Sequence, residues 1–420
     1  MRILIANSFH YYRGGDCVYA LKVTELLQQI GGHKIISFAM EHPLNFPSKY
    51  SEFFVPEIDL PNELRQWGFR SGIRVLTRAI YSNKSKHKLR QLLDEYPVDI
   101  AHVQNIHRHI TPSIFHALRA RNRPIVWTLH DYFLLCPNTT FFSKGGVCEA
   151  CKGERFYKAV FKRCRKASYL ASVVVMLEEY IHRLTGLLKL VDFFIAPSQF
   201  LRNKMIEYGF PSDKVIHIPY FIDTKSTKPS LDSNGYILYS GRLSYEKGLK
   251  TLVKAVSLCD SVKLFIAGSG PLKAELETTA KNIAPKKVAF LGYLNRDKLQ
   301  KVIDDAMFIV VPSEWYENLP YAILEAFASA KPVIGSRIGG IPELIKDRQT
   351  GILFQPGNIN DLAEKIRWMV EHSKERQEMG RRARKLVEQE HNPELHYKRL
   401  MEVYKAALKK HAKIGSRGCS

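Results

Sequence analysis

Several short stretches carry residue types suited to anion chemistry. Residues 241–248 read Gly-Arg-Leu-Ser-Tyr-Glu-Lys-Gly, between a strand-like run and a helical pattern. Free backbone N–H groups at a helix start make a ready anion site. Arg242 adds a planar fork for phosphate oxygens, and Lys247 a compact positive charge. Residues 268–271, Gly-Ser-Gly-Pro, follow another strand-like run, where Gly268 permits a tight turn and close approach of a ligand. Each of these alone also fits a plain connecting turn.

The most specific stretch is 312–327. Pro320 suits the first position of a helix, since its missing N–H has no partner to lose there. The amides of Asn318, Leu319 and Tyr321 then point out of the helix start. Glu317 lies just before this helix, and Glu325 lies inside it on an otherwise apolar run. Carboxylates are rarely buried unless paired or ligand-bound. One such glutamate fits a structural salt bridge; two with seven residues between them, bracketing a Pro-started helix, fit a binding site better. Gly339-Gly340-Ile341-Pro342-Glu343 is a further glycine turn at a strand's carboxyl end, where open α/β sheets bind ligands.

In the first half, Arg13-Gly14-Gly15-Asp16 stands between a strand and an amphipathic helix. It reads equally as a phosphate-facing turn or as a helix start capped by Asp16. His130-Asp131 ends an apolar run, with Asp131 placed to orient the imidazole. Cys136, Cys148, Cys151 and Cys164 follow in a C-x11-C-x2-C-x12-C spacing. That spacing suits a tetrahedral zinc site, ordinary thiols or a redox pair.

The elements that must position these residues are legible as apolar runs. Strands are expected at 3–6, 34–38, 100–103, 125–128, 193–196 and 215–218, and again at 236–239, 263–267, 288–291, 307–311, 332–335 and 351–354. Continuous Val/Ile/Leu/Phe runs with helices between them imply parallel sheets covered on both faces. The fold class is therefore α/β, doubly wound, in two Rossmann-like domains. The expected boundaries are 1–222, a polar linker at 223–234, 235–393, and a terminal segment at 394–420. Its helix, 397–409, has an apolar face that must pack on something.

Hydrophobic residues at 45% and charged residues at 25% exclude a disordered or fibrous chain. Lys and Arg number 63 against 41 Asp and Glu, a net +22, so the surface seeks anions. The excess is local: twelve basic against four acidic residues in 60–125, and nine against three in 151–190. No helix-turn-helix, zinc-finger or RNA-recognition pattern accompanies it, so nucleic acid is not an expected partner. The N-terminus reads as a buried strand rather than a signal peptide, and the apolar stretch 169–195 is broken by charges. A cytoplasmic protein is expected, with 169–190 and 67–80 able to dip into a membrane interface.

These stretches, in this order, closely resemble the retaining glycosyltransferases of family 4, which have the GT-B fold. The resemblance covers nearly the whole chain and is densest from Gly241 to Glu343. It implies two Rossmann-like domains facing each other across a cleft, with the terminal helix crossing back to the first. It implies that Arg242 and Lys247 hold a nucleotide-sugar diphosphate and that Glu325 bonds the donor ribose. Glu317 would touch the transferred sugar, helped by amides of Asn318 and Leu319. Gly14 and Gly15 would face the phosphates from the other domain, and His130 would lie near the anomeric carbon. Gly268 and the turn starting at Gly292 would line the nucleotide. No catalytic metal or other cofactor is implied, and Cys136-Pro137 also fits the family. The resemblance favours a UDP-sugar donor, with GDP-mannose second. The acceptor would be a glycan or lipid-linked sugar of cell-surface polysaccharide or glycolipid synthesis. The two basic stretches themselves suit an anionic membrane surface, a pyrophosphate-linked lipid, an acidic polysaccharide or a plain solvated face. The competing readings are an epimerase or phosphorylase of the same fold, and a silent homologue.

Overall fold

The structure, a computed structural model, describes residues 1–57, 80–260 and 262–417. Two six-stranded parallel sheets carry it. The first is built from β1 (Arg2–Ala6), β2 (Lys34–Phe38), β3 (Ile100–Val103), β4 (Ile125–Thr128), β7 (Phe193–Ala196) and β8 (Val215–His217), ordered β2-β1-β3-β4-β7-β8. The second is built from β9 (Tyr236–Ser240), β10 (Lys263–Ala267), β11 (Val288–Gly292), β12 (Phe308–Val311), β13 (Val333–Ser336) and β14 (Gly351–Phe354), ordered β11-β10-β9-β12-β13-β14. Every expected strand forms, within a residue or so of its expected bounds. The reason is physical: β3, β4, β12, β13 and β14 are buried along their whole length, so an apolar run in this chain is a strand with helices over both faces.

A short antiparallel hairpin, β5 (Phe142–Ser143) with β6 (Gly146–Val147), was not expected. Its turn residues Lys144 and Gly145 both have positive φ, 52° and 79°, as a tight primed turn requires. Two residues per strand are too few to show a period. Residues 169–195 form a helix (Tyr169–Leu184), a 3-10 turn (Leu187–Leu190) and then β7. Among the described residues no helix is long and apolar enough to cross a membrane. The stretch 67–79, expected to be interfacial, lies outside the described residues.

The last helix, Pro393–Arg417, returns to the first sheet. Leu400, Tyr404 and Ala407 are fully buried against it. The Tyr404 hydroxyl lies 2.6 Å from Nδ1 of His102 in β3, and His396 Nε2 lies 3.1 Å from the Tyr19 hydroxyl. Burial pushes His102 and His396 down to about 3, and His182 and His130 to about 4. The unfolded chain takes up these protons near pH 6.5, so it binds more of them than the native state below that pH. Stability should therefore be full above pH 6.5 and fall as the pH drops toward 4, by about 1 kcal/mol per histidine over the first unit. Thermal unfolding at pH 7.5 and 5.5 checks this; an unchanged Tm would contradict it.

Candidate active site

The strand order of the second sheet reverses between β9 and β12. Loops leaving two such strands diverge and leave a crevice at their carboxyl ends. Residues 241–248 follow β9, and residues 312–320 follow β12. Glycine lets these loops nest. A Cβ on Gly248 (φ +67°) would stand 1.8 Å from the Pro312 carbonyl oxygen, and one on Gly340 1.8 Å from that of Asn318. One on Gly268 would meet the Gly241 carbonyl at 1.9 Å. Gly268 N–H donates to the Gly292 carbonyl at 2.7 Å, which draws the turn after β11 into the same rim.

This nesting brings Lys247 to Glu317. The ammonium lies 2.6 Å from Glu317 Oε1, which also accepts the Ser313 hydroxyl at 2.6 Å. Burial of Glu317 favours the neutral acid, but Lys247 and these hydrogen bonds overcome it and hold the carboxyl below its ordinary range. The Lys247 ammonium also sits 4.9 Å from the centre of the Trp315 ring. Arg242 is exposed and its side chain has no ion pair among the described residues. The crevice thus offers one free guanidinium and one cation held in place by a carboxylate.

The helix Tyr321–Ala328 starts one residue later than expected, with Pro320 at its N-cap in extended backbone (ψ 121°). Glu325 stands on it, half-buried, with no side-chain partner among the described residues. Burial raises its pKa, against the pull of Lys22 and Arg296. Lys22 reaches over from the helix Gly15–Gln29 of the first lobe and lies 5.1 Å from the centre of the Tyr321 ring. Gly15 faces the same ring, its Cβ position 3.6 Å from Tyr321 Cδ2. Gly14 is the N-cap of that helix, and Asp16 does not cap it: Asp16 Oδ2 instead accepts from Asn105 Nδ2 at 2.7 Å.

Several bonds close the two lobes on each other. Asn318 Nδ2 donates to the Leu129 carbonyl (3.1 Å), and the Ser198 hydroxyl donates to Asn318 Oδ1 (2.7 Å). Glu343 accepts the free amides of Gln199 and Phe200, at 2.7 and 2.6 Å, at the start of a first-lobe helix. The Asn318 side chain is thereby committed to the lobe contact, and only its backbone, with that of Leu319, is left to face a ligand.

His130 follows β4, but its neighbour Asp131 does not orient it. Its Nε2 faces Gln104 Oε1 at 2.8 Å and its Nδ1 the Tyr220 hydroxyl at 2.6 Å. Those partners assign the proton to Nε2, with the tyrosine donating to Nδ1. Asp131 turns instead to His107, 3.4 Å away. The backbone direction at a strand's end decides this: consecutive side chains leave on opposite sides. Burial keeps His130 neutral at physiological pH, with its pKa at about 4. Lys22 and Gln104 were not singled out in the sequence. A lysine on the half-buried face of the first helix and a glutamine directly after β3 were the available signals.

The zinc reading rests on the four cysteines after β4. Among the described residues no three His, Cys, Asp or Glu side chains are grouped to hold a metal ion. Cys136, Cys148, Cys151 and Cys164 are free thiols in one neighbourhood, but Cys148 Sγ is engaged by Lys162 Nζ at 3.4 Å and Cys164 Sγ turns to Ser143 Oγ at 3.7 Å.

Two parallel-sheet lobes, joined across the crevice by the bonds of Asn318 and Glu343, define a GT-B glycosyltransferase architecture. Residues 14–226 match the model of Glycosyltransferase Family 4, and residues 222–386 that of Glycosyl transferases group 1. The chain belongs to this family. It is 34% identical over 181 residues to an uncharacterized glycosyltransferase of Methanocaldococcus jannaschii (42% of this chain, 46% of the relative), and 28% identical over 238 residues to the sulfoquinovosyl transferase of Arabidopsis thaliana (53% and 45%). The chain thus spans just under half the length of these two relatives. It is 24% identical over 356 residues to an uncharacterized 42.6 kDa protein in the cps region of Klebsiella pneumoniae (82% and 87%). Among solved structures, Anabaena HepE in complex with UDP and glucose superposes with a TM-score of 0.68 at 18% identity, over 97% of this chain and all of that one. Sucrose-phosphate synthase of Thermosynechococcus elongatus does so at 0.71 and 19%, over 97% and 99%.

Proposed function

We propose that this glycosyltransferase is retaining and metal-independent, and that it moves a sugar from a UDP-sugar to a glycan or lipid-linked acceptor in polysaccharide or glycolipid synthesis. The observation that carries this is the Lys247–Glu317 pair at the β9/β12 crevice, with Gly15 set opposite the helix that bears Glu325. UDP as the donor base is supported by HepE, whose structure holds UDP and glucose. Polysaccharide synthesis is supported by the 26% identity over 242 residues to the amylovoran biosynthesis glycosyltransferase of Erwinia amylovora.

The chemistry follows from charge. Cleavage of the bond between the anomeric carbon and phosphate pushes negative charge onto the leaving diphosphate. Arg242, Lys247 and the amides near Leu319 meet that charge, and no divalent ion is needed for it. Attack then comes from the leaving-group face, and a phosphate oxygen takes the acceptor's proton. Glu325 bonds the donor ribose. His130, neutral and held by Gln104 and Tyr220, presents a fixed dipole to the sugar and takes no proton itself. A thermal-shift screen of nucleotides and nucleotide sugars tests the donor: UDP and a UDP-sugar should raise Tm selectively. Selective stabilisation by GDP-mannose would make it a mannosyltransferase instead. Activity should survive dialysis against EDTA.

Docking on an anionic bilayer belongs to the same proposal. Phe161 (76% exposed), Leu170 (63%) and Tyr157 (46%) are bared among Lys158, Lys162, Arg163 and Lys166. Tyr157 and Phe161 touch edge to face, and Arg163 lies over the Tyr169 ring. Each suitably placed cation contributes about 1 kcal/mol at an anionic surface. Phe161→Glu combined with Leu170→Glu should cut co-sedimentation with anionic vesicles at least tenfold; unchanged binding would remove the patch from the account.

A further inference from the structure

The loop that carries Glu317 reaches into both lobes at once. Its carboxylate meets Lys247 and Ser313 of the second lobe, at 2.6 Å each. The side chain of the residue before it, Tyr316, enters the first lobe instead. The Tyr316 ring lies 4.7 Å from that of Phe200 and 6.0 Å from that of Phe141, centre to centre. Its hydroxyl donates to Glu149 Oε1 at 2.8 Å. The main-chain carbonyl of Glu317 also accepts from both lobes, from the Tyr132 hydroxyl at 3.3 Å and from Gly340 N–H at 2.8 Å.

Glu149 is itself fixed on the first-lobe side. It stands just after the hairpin β5/β6, between Cys148 and Cys151. Cys148 N–H donates to the Phe141 carbonyl at 2.7 Å, which ties this turn to the ring that Tyr316 packs on. Lys204, on the helix Gln199–Glu207, sets its ammonium 2.9 Å from each Glu149 oxygen and 2.9 Å from Glu207 Oε2. Lys152 meets Glu207 in turn at 2.5 Å. The Lys204 and Glu149 side chains are 15% and 25% exposed, so the pair is partly shielded from water. Packing alone accounts for an aromatic ring between Phe141 and Phe200. It does not account for a phenol aimed at a carboxylate that a lysine already holds in place; a bond to such a charged acceptor is about twice as strong as one between neutral groups.

We propose that Tyr316 and Glu149 are positioning residues of the transferase, an interlobe latch that sets the Glu317 loop when the lobes close. This deepens the transferase reading above and rests on it. Tyr316 and Glu317 are neighbours, so a ring held by the first lobe leaves the adjoining carboxylate facing Lys247. The Lys247–Glu317 pair is then fully preorganised only in the closed molecule, with the first lobe in place. A donor bound to the open molecule meets a looser loop and keeps its sugar.

The test pairs two measurements on the full chain: hydrogen exchange of the free protein, and steady-state UDP release from UDP-glucose, the sugar nucleotide that HepE holds in a second structure. Tyr316→Phe and Glu149→Ala should each lower kcat about tenfold, the effect of one hydrogen bond to a charged group, and change KM less than about threefold. Tyr316→Phe/Glu149→Ala should lose about as much as either single variant and no more, because both remove the same bond. Glu149→Gln keeps a carbonyl for the phenol and should retain about a third or more of kcat. In the free protein both single variants should speed exchange of amides 313–319 about fivefold and leave those of β9 and β12 unchanged. Turnover of Tyr316→Phe within about twofold of the wild type, or losses that multiply in the double variant, overturns the latch and leaves the transferase reading intact. Where the wild type does not turn over UDP-glucose, exchange decides alone: faster amides at 313–319 uphold the latch and unchanged ones overturn it. Absence of UDP binding in that same protein would count against the donor reading and not against the latch.

Discussion

Lys247→Ala is expected to slow sugar transfer by about 10²–10³-fold, the size of effect seen when one preorganised donor to a developing anion is removed. The ammonium is held at 2.6 Å from Glu317 before any donor arrives. It therefore costs little reorganisation when charge develops on the leaving diphosphate. The variant also strands Glu317. In the wild type this carboxyl is held low, so its contribution to stability is present above the unfolded pKa, near 4.3, and is lost as pH falls below it. Without Lys247 burial wins, the folded pKa rises above the unfolded one, and stability should then fall as pH rises through that window. Transfer assays with paired melts at pH 4 and 7 read both effects. Lys247→Ala/Glu317→Gln should restore the melt and leave transfer lost. Near-normal turnover of the single variant would defeat the mechanism.

What the sequence made legible, and what it hid, follows from range. Strands buried on both faces are spelled by their own residues, which is why β3, β4, β7 and β10 fall where the apolar runs put them. The glycine turns were visible as turns, but their purpose was not. Gly248 and Gly340 are required because carbonyls of Pro312 and Asn318, more than twenty residues away, occupy the space of a Cβ. His130-Asp131 misled for the opposite reason: adjacency in sequence suggested a contact, while the strand's geometry sends the pair apart, His130 to Gln104 and Asp131 to His107. The position of Lys22 on a half-buried helix face hinted at a role, but its partner, the Tyr321 ring, lies on another element about three hundred residues away. Glu343 was read as part of a glycine turn and proves to cap a helix of the opposite lobe. Its role exists only once both domains are folded and closed.

Ending the chain before Pro393 should leave no stable first lobe. The helix Pro393–Arg417 buries Leu400, Val403 and Tyr404 against that lobe. At about 1.5–3 kcal/mol for each large apolar side chain, their loss approaches the roughly 5–15 kcal/mol that holds a whole domain together. Polar groups are stranded as well. His102 loses the Tyr404 hydroxyl from Nδ1, and Asp192, 2% exposed, loses His411 at 3.1 Å while keeping Arg119. A buried group left without its partner costs about 1–3 kcal/mol. Tyr404→Phe isolates that last effect, since it keeps the ring and removes only the hydroxyl; it should lower stability by about 1–3 kcal/mol. The truncated chain should show an early, separate unfolding step or collect in the insoluble fraction, and a peptide of residues 393–417 should raise its melting temperature in proportion to the logarithm of peptide concentration. A truncated chain that melts with the full chain's Tm would mean that the helix only rests on the first sheet. The mutual burial of Tyr404, His102 and Leu400 would then contribute nothing to folding.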